Sequence, residues 1–289
     1  MNLPIQPVPS VLIGIVTHNR ASLLERAIQS CCDQRFLGAR IAVVDAGSTD
    51  ETPAVGLKFP SVQWSLWPEA HRYVEARNHL MTTATSTYFL SLDDDAWFLG
   101  NDEIEIAVNH LEANPLIAAV AFDILTPDRP DALSRQEAQT VATFIGCGHL
   151  LRLSAAREAG FYAPGPGFYG GEEKDLAVRL LDLGWEIHKL PGVHVWHEKT
   201  SVARDRPAQH SSGVCNDLVF AVRRCPMPSL FWILPLKVMS HLRFALRNRL
   251  VGPCLEGIGA FLGSVVEIWP TREPVRAATF AEFRRRSRA

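Results

Sequence analysis

The chain has 289 residues, of which 47% are hydrophobic and 21% are charged, so it can bury a full core as one large domain or one domain with an appendage. A formal net charge of −2 argues against nucleic acid as the main partner. The charge is uneven, because the residues from Cys215 onward include twelve Lys and Arg but only five Asp and Glu. The C-terminal part is therefore basic, although the whole chain is slightly acidic.

Cysteine usage and apolar runs bear on the compartment. The six cysteines show no Cys-x-x-Cys pair and no metal-ligand spacing, which is typical of buried reduced thiols. Residues 1–10 have no basic start and contain three prolines, unlike a secretory signal. The longest apolar run of the tail, Leu230–Met239, is interrupted by Pro235 and Lys237 and is too short to cross a bilayer. We therefore expect a cytoplasmic protein that does not span a membrane.

The N-terminal half alternates apolar runs with helical patterns. Val11–Val16 is a continuous apolar run, as in strands buried on both faces of a parallel sheet. A second run, Ile41–Val44, ends in the polar loop Asp45–Asp50. A third strand is expected at about 62–66, before a helix over about 74–81. This alternation predicts an α/β fold with an open, mostly parallel, Rossmann-like sheet flanked by helices.

The fourth predicted strand, Tyr88–Leu92, ends in three consecutive carboxylates, Asp93, Asp94 and Asp95. Adjacent anions repel each other, so a fold that keeps them together usually offers a cation or a solvent-filled cleft. Carboxylate oxygens suit Mg²⁺ or Mn²⁺, and such ions often complete their shell with substrate phosphates. The triplet therefore predicts a metal site for a diphosphate substrate, with a solvated acidic turn as the alternative.

Polar residues also follow the first and second strands. Thr17 and Asn19 come after the first strand, and Asp45 comes after the second. Each of these could be an ordinary turn residue or helix cap. Because parallel strands end at one edge of the sheet, the three loops together predict a single cleft that also collects Asp93 and Asp95.

The segment after residue 115 gives weaker signals. A strand is expected over Ile117–Phe122, followed by a polar insertion over 126–139. Gly146 and Gly148 permit either close approach of a ligand to the backbone or a bulge in a strand. The sequence leaves both explanations open.

Two further segments precede the C-terminal part. Phe161–Gly171 contains four glycines and two prolines and is expected to be a mobile loop that closes over a ligand. A helix follows from Glu172 to Leu183, and acids in a first turn are ordinary partners of the helix dipole. In Val193–His197 the alternation points His194 away from the face that carries His197, so one of the two histidines is a candidate ligand.

Over about residues 11–199 these motifs resemble the family 2 glycosyltransferases, which have the GT-A fold, and in particular their bacterial rhamnosyltransferase-like branch. The opening Thr17-x-Asn19-Arg20, the Asp45-x-Gly47-Ser48 loop, the Ala76-Arg77-Asn78 segment and Asp93-x-Asp95 stand in the family's order. The resemblance implies a nucleotide-sugar site made of Thr17, Asn19, Arg20, Asp45, Gly47, Arg77, Asp93, Asp94, Gly146 and Gly148.

The resemblance also implies the remaining roles. Asp95 and His197 are the expected ligands of a divalent ion, Mn²⁺ or Mg²⁺. Gly171-Glu172-Glu173-x-Asp175 is similar to a family motif whose central Asp is the general base, so Glu173 takes that role here, with Glu172 as the alternative. One base with direct displacement implies inversion at the anomeric carbon.

The implied reaction moves a sugar from a dTDP- or UDP-sugar to a hydroxyl of a glycan, lipid-linked or small-molecule acceptor. The implied domains are a catalytic domain over 1–210, with its acceptor half from about residue 115, and a basic helical extension over 211–289. Apolar residues interleave with arginines in that extension, which favours either contact with the inner face of a membrane or packing on the core or in a homodimer.

Two other functions remain open at this stage. A nucleotidyltransferase uses a similar fold and metal, but it normally has a Gly-rich phosphate loop, which Thr17–Arg20 is not. A non-catalytic binder of nucleotide-sugars would keep the nucleotide site without a working base, and the Glu at position 173 is the one hint of it.

Overall fold

The computed structural model describes residues 9–68, 73–131, 137–202 and 205–287. Within these residues the strands form one nine-stranded sheet. The strands are β1 Val11–Thr17, β2 Ala39–Ala46, β3 Gln63–Trp67, β4 Tyr88–Asp93, β5 Ala96–Phe98, β6 Ile117–Leu125, β7 Gln139–Thr140, β8 Gly148–Arg152 and β9 Glu186–His197. The helices are α1 Ala21–Cys32, α2 Thr52–Val55, α3 Tyr73–Thr83, α4 Glu103–Ala113, α5 Leu153–Glu158, α6 Glu172–Asp182, α7 Arg206–Arg224, α8 Met227–Asn248, α9 Val251–Ile268 and α10 Ala277–Arg286.

The strand order explains where the polar loops meet. The order is β3-β2-β1-β4-β8-β6-β9-β5, and the first four strands are parallel. In the register of these strands Thr17 lies beside Asp45, and Val16 lies beside Asp93. The predicted meeting of three polar loops at one sheet edge is thus a direct consequence of parallel pairing. β8 then runs antiparallel to both of its neighbours, so the second half of the sheet is mixed.

Hydrophobic layers cover both faces of the sheet. Ile13 and Ile15 pack into a cluster with residues of α1 and α4, whereas Leu12 packs on the other face with α3, α5 and α6. Because successive side chains of a strand point to opposite faces, a strand covered on both faces must be apolar at every position. The predicted α/β class, with a C-terminal helical region, is confirmed.

Element bounds differ from the predictions mainly where pairing extends a strand. β9 begins at Glu186 instead of Val193, because its first half pairs with β6 before the irregularity near Asp123. Of the polar insertion, residues 132–136 lie outside the described residues, and Gln139–Thr140 pairs with β9. The short β5, directly after the acidic triplet, was not foreseen, since three residues give too little pattern.

The C-terminal helices pack on the sheet part of the chain, since Val178 of α6 lies in the same hydrophobic cluster as residues of α7–α10. α7 begins at Arg206, so the predicted boundary between residues 210 and 211 falls inside this helix. The Nε atom of Arg224 on α7 lies 2.7 Å from a carboxylate oxygen of Asp175 on α6, and both side chains are buried. The extension is therefore held to the sheet layer by a buried ion pair.

A second apolar segment of the tail is longer than Leu230–Met239. Among the described residues, the segment Val251–Thr271 is long and apolar enough, with a mean hydropathy of 1.4, to cross a membrane by length and composition alone. Only 22% of its most apolar window is buried. Glycines and two glutamates interrupt this segment, so it does not stand out as a continuous apolar run. The expectation from the sequence rests on Leu230–Met239, the longest apolar run of the tail, and does not consider this longer, interrupted segment.

Candidate active site

A cleft of about 730 Å³ opens at the carboxyl edge of the parallel strands. It is lined by the following predicted site residues: Thr17, Asn19, Arg20, Arg77, Asp93, Asp94, Gly146, Glu172, Glu173 and His197. Asp45, Gly47, Asp95 and Gly148 lie outside this lining. The sheet edge, α3, the start of α6 and the segment 143–147 therefore build the cleft together.

The acidic strand end meets β9 at one wall of the cleft. Donor atoms of Asp93, Cys147 and His197 lie within 4.8 Å of one another. The Nε2 atom of His197 also lies 3.3 Å from Oδ1 of Asp95, which is fully buried. Carboxylates and an imidazole at one point are a donor set that fits Mn²⁺ or a similar divalent ion. Asp95 and His197, the predicted ligands, are thus brought together, with Asp93 and Cys147 beside His197.

Asp94 is held by the loop that follows β1. Its carboxylate accepts a hydrogen bond of 2.8 Å from the Thr17 hydroxyl and one of 2.6 Å from Arg20. Burial, with Asp95 and Asp93 nearby, raises the pKa of Asp94 to about 6, although Arg20 and Thr17 act in the opposite direction. Arg20 therefore offsets the charge of the middle carboxylate, and Thr17 helps to hold its position.

Asn19 joins the loops after β1 and β2. It has a left-handed backbone, with φ of 53°, and its side-chain oxygen accepts a hydrogen bond of 2.7 Å from the Thr49 amide. The Asp45 side chain lies below this junction and accepts a hydrogen bond of 2.9 Å from the Ser48 amide. The other carboxylate oxygen of Asp45 is buried and has no hydrogen-bond partner among the described residues. Asn19 thus shapes the loop, while Asp45 keeps an acceptor for another donor.

Arg77 connects the acidic strand end with the start of α6. The guanidinium is buried and forms a short ion pair with Asp93, while its Nη1 lies 3.7 Å from Glu172 and 3.9 Å from Glu173. Coulombic attraction to Asp93 and the two glutamates outweighs desolvation and raises the pKa of Arg77 above its ordinary value. The single positive charge of Arg77 therefore lies among three carboxylates of the cleft and attracts each of them.

The two candidate bases have different surroundings. The Glu172 side chain is 4% exposed and accepts a hydrogen bond of 2.7 Å from the Tyr73 hydroxyl. The Glu173 side chain is 19% exposed and faces the cleft. Burial and the neighbouring Glu172 raise the pKa of Glu173 well above its usual range, against the effect of Arg77. Glu173 is therefore the carboxylate that a ligand can reach, and Glu172 supports the wall behind it.

The structure separates the two glycines that the sequence treated alike. A Cβ at Gly146 would collide with the carboxylate of Glu173 and would lie 3.1 Å from Arg77. A Cβ at Gly148 would instead meet Ile124 and Phe122 of the core at 2.8 and 3.2 Å. Gly146 thus allows close approach inside the cleft, whereas Gly148 is required by sheet packing and its place in the predicted site is not supported by the cleft lining.

The loop Phe161–Gly171 forms another wall of the cleft. Its residues Phe168–Gly171 line the cavity. The side-chain amide of Asn216 on α7 donates to the carbonyls of Gly167, Tyr169 and Gly170 and accepts from the Gly167 amide. One residue of α7 therefore fastens the predicted lid, and its mobility stays a prediction.

Three residues of the site were missed in the sequence. Tyr73 binds Glu172 and also accepts a hydrogen bond of 2.9 Å from the Gly170 amide, so it links α6 to the loop. Cys147 was interpreted as a buried thiol within the Gly146–Gly148 segment and not as a metal-ligand candidate, yet it lies beside Asp93 and His197. Gln209 lines the cleft from α7. No local pattern indicates these positions, because each depends on contacts between distant segments.

This α/β fold brings a carboxylate cluster and two adjacent glutamates into one cleft, and the family match assigns the protein to the class of glycosyltransferases. The model of the family described as "Glycosyl transferase family 2" matches residues 12–161, and the chain belongs to this family. A relative described as an uncharacterized glycosyltransferase of Rickettsia prowazekii (strain Madrid E) is 23% identical over 226 residues, which is 73% of this chain and 68% of the relative.

Solved structures agree on the fold. The mannosyltransferase PcManGT from Pyrobaculum calidifontis, in complex with GDP-Man and Mn²⁺, superposes with a TM-score of 0.60 at 17% identity, over 89% of this chain and 76% of that chain. GalNAc-T7 with UDP, GalNAc and Mn²⁺ gives a TM-score of 0.61 at 16% identity, over 76% of this chain and 48% of that chain. S. aureus TarS gives 0.61 at 14% identity, over 83% and 44%.

Proposed function

We propose that this protein is a metal-dependent, inverting glycosyltransferase that moves a sugar from a dTDP- or UDP-sugar to an acceptor hydroxyl, as in the rhamnosyltransferase-like branch of its family. The observation that carries the proposal is the position of Glu173, which faces the same cleft as the acidic strand end and is linked to it through Arg77. A proton acceptor and a candidate metal-binding end thus lie in one cavity, as direct displacement from a metal-bound diphosphate requires.

Glu173 is the general base in this scheme. It takes the proton of the acceptor hydroxyl as the oxygen attacks the anomeric carbon, and the nucleoside diphosphate leaves from the opposite side. Because burial and Glu172 raise the pKa of Glu173, its carboxylate is a stronger base than an ordinary glutamate. The nearby Arg77 has the opposite effect on this pKa and favours the ionised form of Glu173.

The donor end is assigned to the carboxyl ends of β2 and β4. Asp45 offers a buried free oxygen suited to a base N–H, and Asp93 lies near the sugar and phosphate side. Asp93, Asp95 and His197 are the residues that would hold a divalent ion. When bound, such an ion supplies Lewis-acid stabilisation of the negative charge on the departing diphosphate. Two fold relatives with Mn²⁺ and nucleotide or nucleotide-sugar ligands support this assignment.

The acceptor and the location complete the proposal. We assign the enzyme to the cytoplasm, in the biosynthesis of a glycan, a polysaccharide or a glycosylated natural product. All six cysteines lie in described residues and are free, which supports a reducing compartment. Residues Phe168–Gly171, opposite the acidic end, offer aromatic and backbone surface to an acceptor.

A thermal-shift screen of UDP-, dTDP- and GDP-sugars with and without Mn²⁺ tests the donor site, because a ligand of the native state raises the melting temperature. We expect one nucleotide to stabilise the protein in a metal-dependent manner, and Asp95→Asn to remove the metal dependence. NMR of the product then tests the mechanism. A retained anomeric configuration would exclude the single-base scheme, and the absence of any shift would contradict the donor site.

A further inference from the structure

One side of α8 exposes large apolar side chains. Trp232 is 75% exposed, Leu236 58%, Met239 65% and Leu246 69%. Their spacing of four, three and seven residues places them along one side of a helix. We call these four residues the α8 stripe. An apolar stripe of this length on a water-soluble protein usually marks a contact surface.

The opposite side of α8 packs on the helical core, and this packing fixes the direction in which the stripe faces. Leu230, Ile233 and Ala245 are buried in the helical core. Lys237 and His241 both bind Asp217 of α7, at 2.6 and 2.9 Å. Rotating the helix to bury the stripe would break these contacts with Asp217 and expose the buried residues. The fold therefore presents the stripe to solvent.

Cations accompany the stripe. Residues 227–250 contain no Asp or Glu, and Arg243, Arg247 and Arg249 are exposed near the end of α8. Arg243 and Arg247 lie on the same side of the helix as the stripe, four and eight residues after Met239. A helix with one apolar, exposed side and a cationic end is typical of helices that lie in the interface of an anionic membrane.

The neighbouring α9 extends the apolar surface. Leu255, Leu262 and Val266 are 56%, 60% and 76% exposed. The other side of α9 packs closely on α7, because a Cβ at Gly257 would collide with the backbone of Ser211. α9 therefore also exposes apolar side chains, beside the exposed Glu256 and Glu267, while its inner side holds α7.

We propose that the α8 stripe, with Arg243, Arg247 and Arg249, docks this protein on the surface of a membrane that contains anionic lipids. The apolar side chains enter the boundary between headgroups and acyl chains, and the guanidinium groups bind lipid phosphates, which they match in geometry and charge. Docking by this face is independent of the sugar transfer proposed above.

Charge decides between a membrane and a second copy of the chain. In a two-fold dimer through this face, the three arginines of one α8 would meet residues of the partner's α8, which carries no opposite charge for them. α8 has no carboxylate to compensate them. An anionic lipid surface instead supplies the opposite charge.

The surface also lies close to the cleft. Phe244 of α8 stacks on His210 of α7 at 5.5 Å, and the adjacent Gln209 lines the cleft. Docking through α8 therefore brings this wall of the cleft towards the lipid surface.

Flotation of the full chain with vesicles of phosphatidylcholine, with or without phosphatidylglycerol, tests the proposal. We expect binding to the anionic vesicles and little to the neutral ones. Trp232→Glu with Leu236→Glu should abolish binding. Arg243→Gln with Arg247→Gln should weaken it roughly 30-fold, since each cation near an anionic surface contributes about a factor of five.

Matched controls use similar substitutions elsewhere. Leu37 and Leu57 are 99% and 85% exposed on the catalytic part, so Leu37→Glu with Leu57→Glu should bind like the unmodified chain. Arg40→Gln with Arg157→Gln controls for loss of two exposed arginines. Equal binding to both vesicle types would overturn the proposal. So would a dimer that the Trp232→Glu, Leu236→Glu variant dissociates, found together with no vesicle binding.

Discussion

Replacing Glu173 by glutamine tests the reaction at its centre. Glutamine keeps the size of the side chain, which lies against Gly146 and Arg77, but it cannot accept a proton from the acceptor hydroxyl. We expect kcat to fall roughly 10²- to 10⁴-fold, as is usual when a positioned general base is removed. Donor binding should be largely retained, because Glu173 is linked to Asp93 only through Arg77, whose ion pair with Asp93 stays in place.

The conservative variant refines the magnitude. Glu173→Asp keeps the carboxylate but withdraws it by one methylene, about 1.5 Å along the side chain. A displacement of about 1 Å of a reacting group costs on the order of 100-fold in rate. We therefore expect Glu173→Asp to retain measurable activity between that of the unmodified enzyme and that of Glu173→Gln.

The assay measures nucleotide release and sugar transfer with the donor identified by thermal shift, and Glu172→Gln serves as the matched control. Its carboxylate is 4% exposed and is bound to Tyr73, so this change should cost less than Glu173→Gln. The reasoning is refuted if Glu173→Gln stays within tenfold of the unmodified enzyme while donor binding is intact. A larger loss in Glu172→Gln would move the base to Glu172.

The same variant has a predictable effect on stability. Burial and Glu172 raise the pKa of Glu173, so the folded state binds this proton more tightly than the unfolded chain does. Its contribution to stability is complete below the ordinary glutamate pKa of about 4.3 and is lost as pH rises through the raised value. Glu173→Gln removes this loss, so its melting temperature at pH 8 should exceed that of the unmodified protein.

Three further predictions follow from the same contacts. Glu172→Gln removes a charge that raises the pKa of Glu173, the proposed base, so the acid limb of kcat/KM against pH should move to lower pH. Gly146→Ala displaces the Glu173 carboxyl and should lower kcat about 100-fold with donor binding retained. Gly263 of α9 has open space around it, so Gly263→Ala should instead stabilise the folded protein by about 1 kcal/mol. Arg224→Met leaves the buried Asp175 with one cationic partner fewer and should cost about 3 kcal/mol of unfolding free energy in urea titration.

Each of these has a result that contradicts it. An acid limb that stays in place would show that the two glutamates do not interact. Full activity of Gly146→Ala would show that the glycine is not needed for close approach. Arg276 pairs with Asp182 at the surface, so Arg276→Met is the control for Arg224→Met and should cost less than about 1 kcal/mol.

Local patterns determined the fold class and the location of the site. Continuous apolar runs such as Val11–Val16 indicate strands buried on both faces, and the polar residues after three of them mark one sheet edge. The family motifs add the identities of Glu173, Asp93 and Asp95. All of this is readable because strand burial and strand order leave a signal within a few consecutive residues.

The tertiary structure decided what depends on packing between distant segments. It distinguishes Glu173, which faces the cleft, from Glu172, which binds Tyr73, although the two are adjacent in a first helical turn where acids are common. It places Cys147 beside Asp93 and assigns Gly148 to the core.

The C-terminal helices follow the same rule. Sequence patterning shows that α8 is apolar and basic, but α7 and α9 determine which of its sides is covered. The side that stays exposed is set by the hydrogen bonds of Lys237 and His241 with Asp217, which join residues 20 and 24 positions apart. A helix of mixed apolar character has several sides it could bury, and only its neighbours in space select one.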